Sequence, residues 1–399
     1  MRAEKKILIC GAGIAGPACA YWLDQHGFSV VIAERAKALR DGGQNVDIKG
    51  AAQQIIFIMG IADKIAAKDT MEQGVKCLDQ SGNIVAVFPK GGFPSLTAEF
   101  EILRGDLAQI MFEATQDRCE YRFGTFVTAL EETSDGITVA FNDGRVEAFE
   151  LVICAEGISS STRTMVLPEQ THFRYLGAYM SFFNIPQRSE DDNWARSVSG
   201  TGGTLVTLRP GKNHETTVLT TFLREDHGFE QEDAATRKAL VAKALEGRGT
   251  IAERVRSELD AVSDFWCGPM SQVQASRWAK GRFVMIGDAA YCPTPFTGEG
   301  AALALIGAYV LAGELKRSSG FEDAFSAYEN LVRPHVEKSQ KRLSPTVIRA
   351  LHMKTQFGLT FFRLVQRLVT SRVIQRLLKP SDAKRNARVA KDFVFPRYT

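Results

Sequence analysis

The 399-residue chain lacks the features that mark membrane, secreted or nucleic-acid-binding proteins. Its net charge is only +3, so no overall field draws it to a polyanion. Its apolar runs are short. The longest, near Ala301–Gly313, is below the length that spans a bilayer, and Met1–Lys6 leads directly into Ile7-Leu8-Ile9-Cys10 with no room for a signal-peptide core. Seven cysteines (10, 19, 77, 119, 154, 267, 292) include no Cys-x-x-Cys and show no metal spacing, so no metal site is expected. Their odd, scattered count points to buried thiols in a reducing, cytoplasmic compartment. With 45% apolar and 24% charged residues the composition is that of a globular protein. The length allows about two or three folding units.

What is present begins at the amino terminus. Lys6–Cys10 is a short apolar run with the pattern of a buried parallel strand. It feeds Gly11-Ala12-Gly13-Ile14-Ala15-Gly16, a Gly-x-Gly-x-x-Gly, followed by a helical pattern over Ala18–Gln25 and a second buried strand over Phe28–Ala33 ending at Glu34. Gly11 permits the tight turn, Gly13 lets a phosphate approach the backbone, and Gly16 lets helix pack closely on strand. A helix N-terminus offers free N–H groups to a pyrophosphate, and Pro17 in its first turn loses nothing there. Glu34 is placed to accept from ribose hydroxyls, which favours FAD or NAD over NADP at this site; Arg35 is a candidate for phosphate or adenine. No second copy of the motif follows, so no dedicated nicotinamide domain is expected.

Three later stretches, taken with the first, carry a resemblance. They are Glu101-Ile-Leu-Arg104-Gly-Asp-Leu107, Leu151-Val-Ile-Cys-Ala-Glu156-Gly157 with Arg163, and Ile286-Gly287-Asp288-Ala289-Ala290. In this order the chain resembles the FAD-dependent group A aromatic hydroxylases, the para-hydroxybenzoate-hydroxylase-like monooxygenases, over roughly residues 5–315. The resemblance implies FAD held by Gly11, Gly13, Ile14, Ala15, Gly16, Glu34, Arg35, Gln44, Arg104, Asp288, Pro295, Gly298, Gly300 and Ala301. It assigns Arg104 to the ribityl-phosphate region and Asp288 to the ribityl hydroxyls. It places the Pro293–Ala302 loop against the isoalloxazine, with the following helix, Leu303–Leu315, pointing its N-terminus at the ring. NAD(P)H is the implied transient co-substrate and O2 the oxidant, acting through a flavin C4a-hydroperoxide with no catalytic side chain assigned. Three positions depart from the family pattern: Glu156 where Asp is usual, Tyr291 for His, and Ala302 for Asn.

The implied fold is α/β: a Rossmann-like FAD-binding domain (1–70, 99–165, 270–345), an interleaved, mostly antiparallel β substrate domain (71–98, 166–269), and a C-terminal helical segment (346–399) bridging the two. Alternating runs at Gly203–Leu208 and Thr216–Leu223 are read as strands of the substrate domain. Tyr179, Phe182, Phe222 and Phe296 are the candidate lining of a flat aromatic pocket, with Phe183, Phe88 and Phe93 nearby. His172, His214 and His227 are potential bases, but each reads more readily as a surface or structural histidine.

Wording around Gly42-Gly43-Gln44-x-x-Asp47-Ile48-x-Gly50 and Gly307–Leu315 is most similar to tetracycline-inactivating monooxygenases, which implies a tetracycline-like polyketide substrate and a part in antibiotic resistance. Residues 346–399 carry twelve Lys/Arg against two Asp, so the remainder of the chain is net acidic. Phe357, Phe361, Leu364, Val365 and Leu368 share one helical face, with Arg363 and Arg367 opposite, which is read as a docking helix. A membrane-surface helix and nucleic-acid binding are the weaker readings. A small-molecule partner and a monomer are expected. The alternatives are a flavin-dependent reductase or dehydrogenase without oxygen insertion, and a flavin-retaining protein that sequesters a small molecule.

Overall fold

Lys6–Cys10 forms the centre of a parallel sheet because its Ile7, Leu8, Ile9 and Cys10 are buried, leaving no face for water. In this computed structural model, residues 6–92, 96, 100–225, 232–371, 374 and 396–398 are described. Phe93, His227 and most of the basic tail lie outside the described residues. Ser29–Glu34 and Leu151–Cys154 flank the central strand in parallel, and Glu120–Phe123 and Phe283–Met285 extend the sheet, with Ala279–Lys280 added antiparallel at one edge. The helix Ala15–Gln25 covers this sheet and packs on the long helix Gly300–Arg317. That second helix is buried from Ala301 to Leu315, which its small residues allow: Ala302, Ala304, Gly307, Ala308, Ala312 and Gly313 let neighbouring helices approach.

The second layer is a seven-stranded sheet in the order Phe265–Ala275, Thr171–Pro186, Glu215–Leu223, Thr204–Pro210, Ala195–Gly200, Gly74–Leu78, Ile84–Pro89. Its pairings are antiparallel except that of Ala195–Gly200 with Gly74–Leu78. Phe265–Ala275 runs continuously through this sheet, so a boundary at residue 270 would cut a strand. A small antiparallel pair, Asn45–Ile48 with Phe100–Leu103, forms a separate sheet. Arg209, on the seven-stranded sheet, ties it to this pair by bonding to Glu72 at 2.8 Å and also to Glu101.

The C-terminal helix differs from the expectation. Gln356–Val369 is helical, but the face expected to dock points to solvent: Phe357 is 84% exposed, Phe361 60% and Leu368 51%. Its anchor is the other side, where Leu359 is buried and Val369 packs on Val75, Phe88 and Ala195. Periodicity finds a face; it does not say which face has a partner. Among the described residues, no helix is long and apolar enough to cross a membrane, and no group of three metal-ligating side chains occurs. All seven cysteines are free and buried.

Candidate functional site

Where the parallel sheet ends, beside the Gly11 turn, lies a cleft of about 230 Å³. Its walls come from five separated parts of the chain: Gly11–Ala15; Glu34 and Arg40 with Gln44–Val46; Arg104 and Ala108; Ala155–Gly157; and Asp288 with Cys292–Pro295, Gly298, Gly300 and Ala301. The glycine turn is locked in place. Gly11 donates to Ala33 at 2.7 Å and adopts φ +108°, and a Cβ there would come within 2.6 Å of the Ala155 carbonyl oxygen. Only glycine satisfies both conditions. Helix Ala15–Gln25 starts at the cleft, which Gly11–Ala15 line, and the backbone N–H groups of its first turn have no intrahelical partner. Gly16 does not line the cleft; a side chain there would overlap the Gly11 carbonyl oxygen, so its role is packing.

Glu34 closes one end of the cleft. Its carboxylate accepts from the Ala12 N–H at 2.7 Å and the Ala36 N–H at 2.8 Å, which fixes the side chain beside the turn. Arg104 lies across from Gly13, whose missing Cβ leaves room for the guanidinium: a Cβ there would sit 3.4 Å from Nη2. The Arg104 N–H bonds to the Gln44 carbonyl at 3.0 Å, and Gly105 N–H to that of Gly42 at 2.8 Å, which ties the 42–44 loop to the start of the helix Arg104–Glu113. The helix begins at Arg104 itself.

Asp288 begins a four-residue helix, Asp288–Tyr291, just beyond the strand Phe283–Met285. Arg163 holds this turn from behind, donating to the Ala289 carbonyl at 3.0 Å and to that of Ile158 at 2.6 Å. Burial raises the Asp288 carboxyl above its ordinary range, and Arg104 opposes that shift. Burial likewise lowers the Arg104 guanidinium, against the pull of Asp288. Each group therefore needs the opposite charge in this half-buried cleft.

Several predicted residues are elsewhere. Arg35 turns away from the cleft, donating to Ser161 Oγ at 2.7 Å and lying over the Phe126 ring at 5.2 Å. Tyr179 and Phe222 are buried in the core on the side of the seven-stranded sheet covered by Ala234–Leu245 and Thr250–Glu258, not in a pocket wall. Phe182 and Phe296 lie on the opposite side, packed against Leu176, Met180 and Ile348. Strand alternation puts residues 179 and 182 on opposite faces, so one candidate lining could not include both. His172 and His214 are exposed.

Residues that the sequence did not single out also line the cleft, notably Arg40, Asn45 and Thr294. Glu156 is there too, but its carboxylate is engaged by Ser160 Oγ at 2.5 Å and by Thr162 N–H and Oγ1 at 3.0 and 2.8 Å. It accepts from the first turn of the helix Ser161–Val166, beside the Ser160 cap. Tyr291, where the family has His, is buried among Trp278 and Tyr328 and leaves the cleft wall to its neighbours.

Comparison with known proteins agrees with this geometry. The FAD binding domain family matches residues 4–341. A flavin-dependent monooxygenase from an unknown prokaryotic organism is 38% identical over 84% of this chain and 87% of its own length. A second, from Legionella longbeachae serogroup 1 (strain NSW150), is 36% identical over 84% of this chain and 87% of its own. The crystal structure of tetracycline destructase Tet(55) superposes with a TM-score of 0.83 at 29% identity, over 100% of both chains. The chain belongs to the FAD-binding-domain family of flavin-dependent monooxygenases, and FAD is its cofactor.

Proposed function

We propose that this enzyme uses NAD(P)H and O2 to hydroxylate an aromatic or polycyclic substrate, with tetracycline-like polyketides as the favoured class. The overall reaction inserts one oxygen atom into a substrate C–H bond and reduces the other to water, with two electrons and a proton coming from NAD(P)H and a further proton from solvent. The observation that carries the reading is the 293–301 segment, which faces two ways. Pro295, Gly298 and Ala301 line the cleft, while Phe296 packs towards Leu176, Met180 and Phe182 on the second layer. Apolar surface from the seven-stranded sheet thus adjoins the cleft where a flat, hydrophobic substrate would meet the reacting ring. The likeness to the tetracycline destructases supports the substrate class.

The residues present fit FAD. Gly11 and Gly13 lack the side chains that would fill the cradle, and the backbone N–H groups at the start of Ala15–Gln25 suit a pyrophosphate. Glu34 would hold the adenosine ribose, and Arg104 and Asp288 the ribityl and phosphate portion. Gln44, Pro295, Gly298, Gly300 and Ala301 would border the ring. When bound, the flavin supplies the electron transfer and oxygen chemistry that no side chain here can perform. The chain's own part is to bind, to orient and to keep bulk water from the reacting atoms.

The test is direct. Purified protein loaded with FAD should consume NAD(P)H and O2 faster when a tetracycline or a polycyclic phenol is added, and the product should carry one 18O from 18O2. Substrate turnover without label would establish a reductase or dehydrogenase instead. Tight substrate binding with no added NAD(P)H oxidation would establish a sequestration protein.

A further inference from the structure

Thr294 combines three features that packing alone does not explain. Its φ is +82°, in the half of conformational space that a β-branched residue rarely enters. The other described non-glycine residues with positive φ are Met71, Asn213 and His214, all exposed. Thr294 alone among them is buried, with 1% of its surface accessible. Third, its hydroxyl has no hydrogen-bond partner although it is buried. The backbone around it is well tied: the Thr294 carbonyl accepts from Thr297 Oγ1 at 2.9 Å and from Thr297 N–H at 3.2 Å. Pro295 follows, which disfavours the helical region for Thr294 and matches its ψ of 141° but not its positive φ.

A valine has the same shape and would meet every packing need of this position. The hydroxyl therefore adds a desolvation cost that nothing within the protein offsets. Strain and an orphaned polar group at one residue, in the wall of a cleft, mark a place completed by a ligand. Thr294 lines the cleft beside Cys292, Pro293 and Pro295, on the turn that leads into helix Gly300–Arg317. We propose that the Thr294 hydroxyl is a flavin-positioning ligand, hydrogen-bonding the polar edge of the isoalloxazine. This rests on the reading that the cleft holds FAD. A hydroxyl can donate to a ring carbonyl or accept from a ring N–H, so one group serves both oxidised and reduced flavin.

Thr294→Val and Thr294→Ser separate this from a structural role. FAD titrated into apoprotein and followed by flavin fluorescence should bind wild type and the serine variant with similar affinity. The valine variant should bind roughly tenfold more weakly, the loss expected for one hydrogen bond, and should shift the visible absorption of the bound flavin. In the absence of FAD the same valine variant should melt no lower than wild type, because it removes an unsatisfied hydroxyl. Equal FAD affinity and an unchanged spectrum in the valine variant would overturn the proposal, as would a lower melting temperature of its apoprotein. Failure of the wild-type apoprotein to bind FAD at all would instead overturn the reading of the cleft.

Discussion

The Tyr291 hydroxyl occupies the space in which a Cβ on Gly307 would fall. Ring and helix are matched across the core: the Trp278 ring lies 4.7 Å from that of Tyr291, the Tyr328 hydroxyl is 3.2 Å from the Tyr291 hydroxyl, and Tyr328 donates to the Met285 carbonyl at 3.1 Å. Tyr291 closes the short helix that starts at Asp288, so its seat fixes one wall of the cleft from behind. Tyr291 and the glycine in the buried helix are therefore one feature.

Gly307→Ala should destabilise the protein by about 1–3 kcal/mol, the usual cost of overpacking, despite alanine's better helix propensity. The variant Gly307→Ala with Tyr291→Phe should recover part of that loss, because removing one oxygen makes room for one methyl. Thermal melts of the two single variants and the double variant give the coupling; simple additivity would show that the two residues do not interact.

Arg104 leads to a second prediction. Its guanidinium faces the glycine turn and shares a half-buried cleft with Asp288, and a charge-assisted contact in such a place contributes about 1.5–3 kcal/mol. Arg104→Met should weaken FAD binding roughly 10- to 100-fold in fluorescence titrations. Arg104→Lys should recover only part, since a point charge does not reproduce the planar fork. An unchanged FAD dissociation constant in the methionine variant would remove Arg104 from the cofactor site.

The elements nearest the amino terminus were legible because their signals are local. Glycine at three fixed positions, a buried strand on either side and an acid at the second strand's end specify Gly11 to Glu34 within one short segment, and the structure has that turn between parallel strands. The strand Glu215–Leu223 was equally readable from its alternation, expected over Thr216–Leu223. Orientation was not. Alternation along Thr171–Pro186 shows that Tyr179 and Phe182 face opposite ways, but the side covered by helices is decided by Ala234–Leu245 and Thr250–Glu258, more than fifty residues later. The exposed face of Gln356–Val369 failed for the same reason. Thr294 leaves no mark in the sequence at all, because its strain and missing partner exist only once the turn is folded.

The link between the two sheets gives a prediction in pH. Glu72 and Glu101 are both fully buried, and Arg209 bonds to the two of them across the boundary between the seven-stranded sheet and the strand Phe100–Leu103. Asn45, in the cleft wall, donates to Glu101 at 2.6 Å, so the pair reaches the candidate site through one side chain. Burial raises the Glu101 carboxyl to about 7; Arg209 opposes the shift and Glu72 adds to it. A carboxyl raised on folding stabilises the native state below its unfolded value, and that contribution is lost as pH rises through the folded one. Glu101→Gln should therefore gain on wild type as pH rises from about 5 to 8, with a difference in melting temperature that moves in the variant's favour. Arg209→Met, which leaves two buried carboxylates without their common cation, should cost about 3–5 kcal/mol at neutral pH and less in acid, where protonation relieves the repulsion. Melting curves collected at pH 5, 6, 7 and 8 for the three proteins decide the matter. Parallel pH profiles for wild type and Glu101→Gln would show that Glu101 does not titrate in this range.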